Sequence, residues 1–71
     1  MIKLKVVPVH PKEFRKLHGL SIYQMSRLSG YPVETIKRWV AEADSKRYVE
    51  PRDGVKNHFG VLSQVLQRQV S

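Results

Sequence analysis

The feature that most constrains this chain is the segment 21–40, which predicts two short amphipathic helices joined by a tight turn. Ser21 and Gln24 form a capping-box pattern, in which two backbone donors at a helix start are satisfied reciprocally. Gly30 can adopt the left-handed conformation that ends a helix and redirects the chain. Pro32 is preorganised for the first turn of the helix that follows. We therefore expect a bend at residue 30 between two helices.

Each predicted helix has one apolar face. In the first helix, this face consists of Ile22, Met25, Ser26 and Ser29. In the second helix, at about 32–43, residues recur at helical period to give an inner stripe of Ile36, Trp39, Val40 and Ala43. Lys37 and Arg38 fall on the opposite face. A helix anchored on one side and basic on the other suits insertion into the major groove of DNA.

Composition limits the fold and the class of protein. The 71 residues, 41% of them hydrophobic, suffice for one small domain with one modest core. There is no run of eighteen apolar residues, so we expect no membrane span. The absence of cysteine excludes disulfides, thiolate metal sites and thiol nucleophiles. We expect a cytoplasmic protein, nucleoid-associated if bacterial.

The charge is strongly positive and unevenly distributed. Thirteen Lys and Arg against six Asp and Glu give a net charge of +7. Residues 1–40 hold eight of the basic and two of the acidic residues, a net charge of +6. A polyanionic partner is the natural interpretation of such an excess, although a basic protein with no such partner stays open on charge alone.

The flanking segments predict further elements. Residues 1–9 alternate apolar residues with lysines, which favours an extended or β arm. Pro11 begins a short helix running to about His18, with Phe14 and Leu17 facing inward.

The second half of the chain predicts a loop and a closing helix. Residues 44–52 are polar and favour a loop. Asp53 is a good N-cap for a helix over 53–69. Its apolar stripe consists of Val55, Phe59, Leu62 and Leu66.

The central segment resembles the helix-turn-helix of the Cro and phage-repressor type. The residues that carry the resemblance are a small residue before the turn, the turn glycine and the apolar anchors around it: Met25, Ser26, Gly30, Tyr31, Ile36 and Trp39. The stretch FRKLHGLS is similar to the family's first helix, and Pro51 with the last predicted helix is similar to its closing helices. Coverage is roughly residues 11–67.

The resemblance implies an all-α domain of four to five helices that binds double-stranded DNA in a sequence-specific way, as a small bacterial or phage transcription regulator. The domain would span 11–71, preceded by an N-terminal arm at 1–10. Two positions depart from the family: Ile22 replaces a glutamine that holds a phosphate, and Pro32 replaces the usual Ser or Thr. The glutamine's phosphate contact therefore cannot be carried over to Ile22.

The predicted helix at about 32–43 supplies the contacts to base edges. Valine packs on a thymine methyl, glutamate accepts from cytosine N4, and arginine or lysine bonds guanine. The candidates are Val33, Glu34, Lys37 and Arg38. The simpler interpretation is that Glu34 stabilises the helix start and pairs with the two basic residues. The candidates for contacts to phosphate are Tyr23, Gln24, Arg27, Thr35, Lys46 and Arg47.

No other chemistry is indicated. His10, His18 and His58 lie on separate elements without metal-ligand spacing, and no nucleophile motif or phosphate loop is present. We expect no enzyme activity, no metal, no cofactor and no small-molecule ligand. Because one helix reads few base pairs, we expect a homodimer through the last helix (53–69) or the arm (1–9).

Two alternatives remain open at this point. A winged helix-turn-helix of the MerR or excisionase type would place a β-hairpin at 45–55. A protein-interaction adaptor would instead use the basic helical scaffold to hold an acidic protein.

Overall fold

The computed structural model describes residues 6–69, with side chains through 67. Within this range the chain forms four α-helices and no strand, which confirms the all-α class. The helices are α1 (Pro11–His18), α2 (Ile22–Ser29), α3 (Val33–Val40) and α4 (Asp53–Gln69). Residues 6–10 have no regular secondary structure. The rest of the predicted arm, residues 1–5, lies outside the described residues.

The predicted capping box and the predicted end of α2 at Gly30 are confirmed. Ser21 Oγ accepts from the Gln24 backbone N–H at 3.1 Å, and Gln24 Oε1 accepts from the Ser21 N–H at 2.9 Å, so both halves of the capping box form. Gly30 has φ of 83°, the left-handed conformation expected of it. Two hydroxyls brace the turn that follows. Ser26 Oγ donates to the Tyr31 carbonyl at 2.7 Å. Ser29 Oγ accepts from the Tyr31 N–H at 3.3 Å and itself donates to the Met25 carbonyl within α2 at 2.7 Å.

Three helix ends differ from the prediction. Pro32 is the extended N-cap of α3, with ψ of 147°, so the helix begins at Val33 and Pro32 is not in its first turn. Helix α3 ends at Val40 rather than near residue 43, because Ala41 is extended, with ψ of 162°. Ala43 therefore lies beyond the helix and is exposed, so its placement on the inner stripe was wrong. The Val55 and Lys56 amides donate to the Arg52 carbonyl, at 3.0 and 3.1 Å, so Asp53 stands in the first turn of α4 rather than capping it.

Each helix contributes at least one large side chain to a single core. Its fully or nearly buried hydrophobic members are Phe14, Met25, Ile36, Trp39 and Phe59. The predicted stripe of α4 is confirmed, since Val55, Leu62 and Leu66 pack against this cluster. The inward placement of Leu17 was wrong: its side chain is 61% exposed. His18 takes the inner position instead, stacking obliquely on Phe14 and reaching Ser63 Oγ at 2.9 Å.

The segment before α1 lies against α4. The Val9 N–H donates to the Lys56 carbonyl at 3.0 Å. At Gly60 the approach is so close that a Cβ would stand 2.2 Å from the Val7 carbonyl oxygen. Glycine is therefore the residue that lets residues 6–9 cross the helix there.

None of the helices in the described part of the chain combines the length and apolarity needed to cross a membrane.

Candidate nucleic-acid interface

The outer face of α3 carries the predicted base-edge candidates. Ile36 and Trp39 hold the opposite face in the core, with Trp39 meeting Tyr31 edge to face at 4.9 Å between ring centroids. Glu34, Lys37 and Arg38 are exposed, whereas Val33 is half-buried at the first position of the helix. Because the anchors are buried, the orientation of this outer face is fixed by packing.

The charges on this face are only partly compensated. Lys37 Nζ lies 3.5 Å from Glu34 Oε1, in an exposed pair one turn apart. Such pairs contribute little to stability, and solvent competes for both partners. Among the residues the structure describes, Arg38 has no salt bridge. Its guanidinium is thus available to an external acceptor.

The loop between α3 and α4 returns to this face. The Ser45 N–H donates to the Glu42 carbonyl and the Tyr48 N–H to the Ser45 carbonyl, which makes two successive turns. The Val49 N–H then donates to the Arg38 carbonyl at 3.2 Å. Residues 45–52 contain no strand, so the hairpin that a winged fold requires at 45–55 is not formed.

As a result, an open cleft of about 860 Å³ lies between α3, the loop and the start of α2. Four basic side chains contribute to its lining against a single carboxylate, that of Glu34. The cleft is lined by Ile22, Glu34, Lys37, Arg38, Ala41, Ser45, Lys46, Arg47 and Val49. The structure therefore brings together three base-edge candidates and two phosphate candidates that are up to thirteen positions apart in sequence. We call this surface the basic cleft.

Three phosphate candidates on α2 are not part of the lining. Tyr23 is 61% exposed, and Arg27 lies over its ring at 5.8 Å, with Nη1 3.4 Å from the hydroxyl. Gln24 is exposed, but its side-chain oxygen is occupied by the capping box. The side-chain NH₂ of Gln24 is the group that can still donate to a phosphate.

A second cleft flanks the other side of the same helix. Thr35, a predicted phosphate candidate, lines it together with Arg38 and Arg52. Glu34 and Glu50 also contribute, so its acidic and basic side chains balance. Arg52 was missed by the sequence reasoning, as were Val49 and Ala41 in the basic cleft. Their placement depends on how an irregular loop folds back, which periodicity does not reveal.

A hydrogen-bonded cluster lies at the end of the loop. His10 Nε2 lies 3.1 Å from the Tyr48 hydroxyl, which donates to Glu50, and Glu50 Oε1 lies 3.1 Å from Lys56 Nζ. The bond from Tyr48, with a further contribution from Lys56, holds the pKa of Glu50 below its ordinary value. The same bond raises the pKa of Tyr48, and burial lowers the pKa of His10. The loop is thereby tied to the helical scaffold.

In the range that the structure describes, no group of three or more His, Asp or Glu side chains is arranged to hold a metal ion. Comparison with protein-family models, with curated proteins and with solved structures finds no match to this chain.

Proposed function

We propose that this protein binds double-stranded DNA in a sequence-specific way, with α3 in the major groove, and acts as a small transcription regulator of the Cro and phage-repressor helix-turn-helix type. One observation carries the proposal: the basic cleft gathers four cationic side chains around the outer face of a helix whose inner face is locked in the core. Phosphate neutralisation by such side chains supplies essentially all of the non-specific affinity for DNA and a large share of the specific affinity.

The helix and the loop have separate roles in this proposal. Arg38 lies on the outer face of α3 without a carboxylate partner in the described residues, so it is the preferred reader of a guanine edge. Glu34 repels phosphate and tolerates the groove only where a cytosine amino group donates to it. Lys46 and Arg47, on the loop, contact the sugar-phosphate backbone.

A salt titration tests whether the protein binds DNA through its charge. Binding to random duplex DNA must weaken with a log–log slope of about −0.9 for each phosphate neutralised. Binding to an acidic peptide with no DNA binding at low salt would overturn the proposal and favour the adaptor.

Arg38→Ala tests base reading. If Arg38 reads a guanine, the substitution costs roughly 1–3 kcal/mol of binding free energy and relaxes preference at one base pair. Lys46→Ala is the matched control, because the loss of a phosphate contact weakens binding to all sequences alike and leaves the base preference unchanged. Selection from a random duplex pool, repeated with both variants, measures the preference. Uniform weakening by Arg38→Ala would reassign this residue to a phosphate.

We further infer a homodimer, since one eight-residue helix reads only a few base pairs and half-sites about 34 Å apart extend the recognised sequence. Val61 and Val65, one turn apart on α4, are 42% and 44% exposed, which supports pairing through this helix. Sedimentation with and without an operator-length duplex tests it. A strict monomer under both conditions contradicts the dimer and leaves the DNA proposal standing.

A further inference from the structure

The loop that carries Lys46 and Arg47 is anchored at both ends. Its start continues directly from α3, and the Ser45 N–H donates to the Glu42 carbonyl at 2.9 Å. Glu42 Oε2 also lies 3.2 Å from Lys12 Nζ on α1, in an exposed pair that adds little. Its far end is held by the Val49 N–H, which donates to the Arg38 carbonyl on α3, and by the cluster around Tyr48. By contrast, Lys46 and Arg47 form no salt bridge within the described residues. Their place in the basic cleft therefore depends on the anchors.

Tyr48 is the centre of the far anchor. His10 Nδ1 accepts from the Lys12 backbone N–H at 3.1 Å, so in the neutral imidazole the proton resides on Nε2. Nε2–H can then donate to the Tyr48 oxygen, while the Tyr48 hydroxyl donates to Glu50. Every donor in this chain of bonds points the same way, toward the carboxylate that Lys56 also binds. The Tyr48 hydroxyl thus connects the residue before α1 to the residues that lead into α4.

We propose that Tyr48 is a positioning residue for DNA binding. Its hydroxyl holds the loop in place, so that the loop carrying Lys46 and Arg47 is already ordered before it contacts the phosphates. This inference rests on the proposed function and adds to it a residue that does not touch the DNA. A clamped loop has given up its conformational freedom before the encounter, so binding does not have to order it. A released loop must be ordered at each encounter, and it neutralises fewer phosphates on average.

Tyr48→Phe is the sharpest perturbation. It removes the hydroxyl but keeps the ring, which lies parallel to His10 with the centroids 6.3 Å apart. Tyr31→Phe is the matched control, because the Tyr31 hydroxyl has no hydrogen-bond partner in the part of the chain that the structure describes. Both variants are titrated with the same duplex over roughly 50–200 mM salt, the range in which phosphate contacts change affinity steeply, and both are checked for thermal unfolding.

We expect Tyr48→Phe to reduce the magnitude of the salt slope by about 0.9 for each phosphate that is no longer neutralised, and to weaken binding roughly 3–10-fold per phosphate near 0.1 M salt. Lys46→Ala combined with Arg47→Ala should have much less effect in the Tyr48→Phe background than in the wild-type chain. An unchanged slope, or full additivity of the substitutions, overturns the positioning role. If the wild-type chain does not bind DNA at all, the proposed function fails, and this inference fails with it.

A second measurement needs no DNA. Backbone ¹⁵N order parameters for residues 44–47 should fall in Tyr48→Phe and stay at the wild-type level in Tyr31→Phe. A loop that stays equally rigid in Tyr48→Phe overturns the positioning role whatever the DNA titration shows. Loosening confined to the loop, together with normal thermal unfolding, supports positioning over a general loss of stability.

Discussion

The contact between residues 6–9 and α4 can be tested at a single atom. Gly54 and Gly60 both lie in α4, and neither has a positive φ. A Cβ at position 54 would meet nothing within 4 Å, whereas a Cβ at position 60 would stand 2.2 Å from the Val7 carbonyl oxygen and 3.1 Å from Val6 Cγ1. Alanine at the two positions therefore separates helix propensity from the docking of the arm.

The expected magnitudes follow from this geometry. In a helix interior, Gly→Ala stabilises by about 0.5–1 kcal/mol, and by less near a helix end. Gly54→Ala should show this small gain. Gly60→Ala, at an interior position, has the full gain but pushes residues 6–9 off the helix. The hydrogen bond from the Val9 N–H to the Lys56 carbonyl is then broken, which costs about 0.5–1.5 kcal/mol. The apolar area buried between residues 6–9 and α4 is also exposed to water, which adds to this cost.

We expect Gly60→Ala to be less stable than Gly54→Ala by about 1–3 kcal/mol, from the broken hydrogen bond and the exposed apolar area together. In a domain of this size, roughly 4–8 °C in Tm corresponds to each kcal/mol. Urea and thermal unfolding monitored by circular dichroism measure the difference, and hydrogen exchange of the Val9 amide locates it. Equal stability of the two variants, with Val9 still protected, would refute the claim that the arm requires glycine at position 60.

Three further predictions concern the turn, the core and the response to acid. Ser26→Ala removes the donor to the Tyr31 carbonyl and should cost about 1–3 kcal/mol in urea unfolding, with Ser21→Ala (about 0.5–2 kcal/mol) as a capping control. Trp39→Ala should cost roughly 3–5 kcal/mol in urea unfolding, a large part of the roughly 5–15 kcal/mol that stabilises a domain; an unchanged unfolding midpoint would contradict this. Burial lowers the pKa of His10; Lys56 and Lys12 lower it further, whereas Glu50 and Glu13 raise it. The contribution of His10 to the free energy of unfolding should therefore be complete above about pH 6.5, the ordinary pKa of histidine, and be lost as the pH falls through the folded-state pKa. His10→Asn, which keeps a capping acceptor but does not titrate, should lack that step; if it keeps the step, another group is responsible.

The sequence predicted those elements whose cause is local. The capping box at Ser21 and the glycine at position 30 determine their own backbone, so α2 and its turn were predictable to the residue. The stripe from Val55 to Leu66 was equally clear, because α4 is long enough to repeat its period.

The residues whose positions were predicted wrongly are those whose positions depend on neighbours distant in sequence. Leu17 is apolar and correctly spaced, yet α4 presents Ser63 at that place, so His18 is turned inward to bond with it. Helix α3 stops early because the chain must leave at Ala41 for Val49 to return to Arg38. Of the candidate site, the sequence predicted the charged residues, but the position of the loop beside them depends on the contacts of Tyr48, which no local pattern encodes.

Helix α3 has only eight residues, well below the roughly 12–15 at which an isolated helix becomes even marginally stable in water. Its helical conformation therefore depends on the packing of Ile36 and Trp39 in the core cluster, and a peptide of residues 33–40 would have no fixed conformation. Loss of the cluster would abolish the outer surface at the same moment. A cell that controls how much of this chain is folded, by proteolysis or by temperature, would control how much of that surface exists.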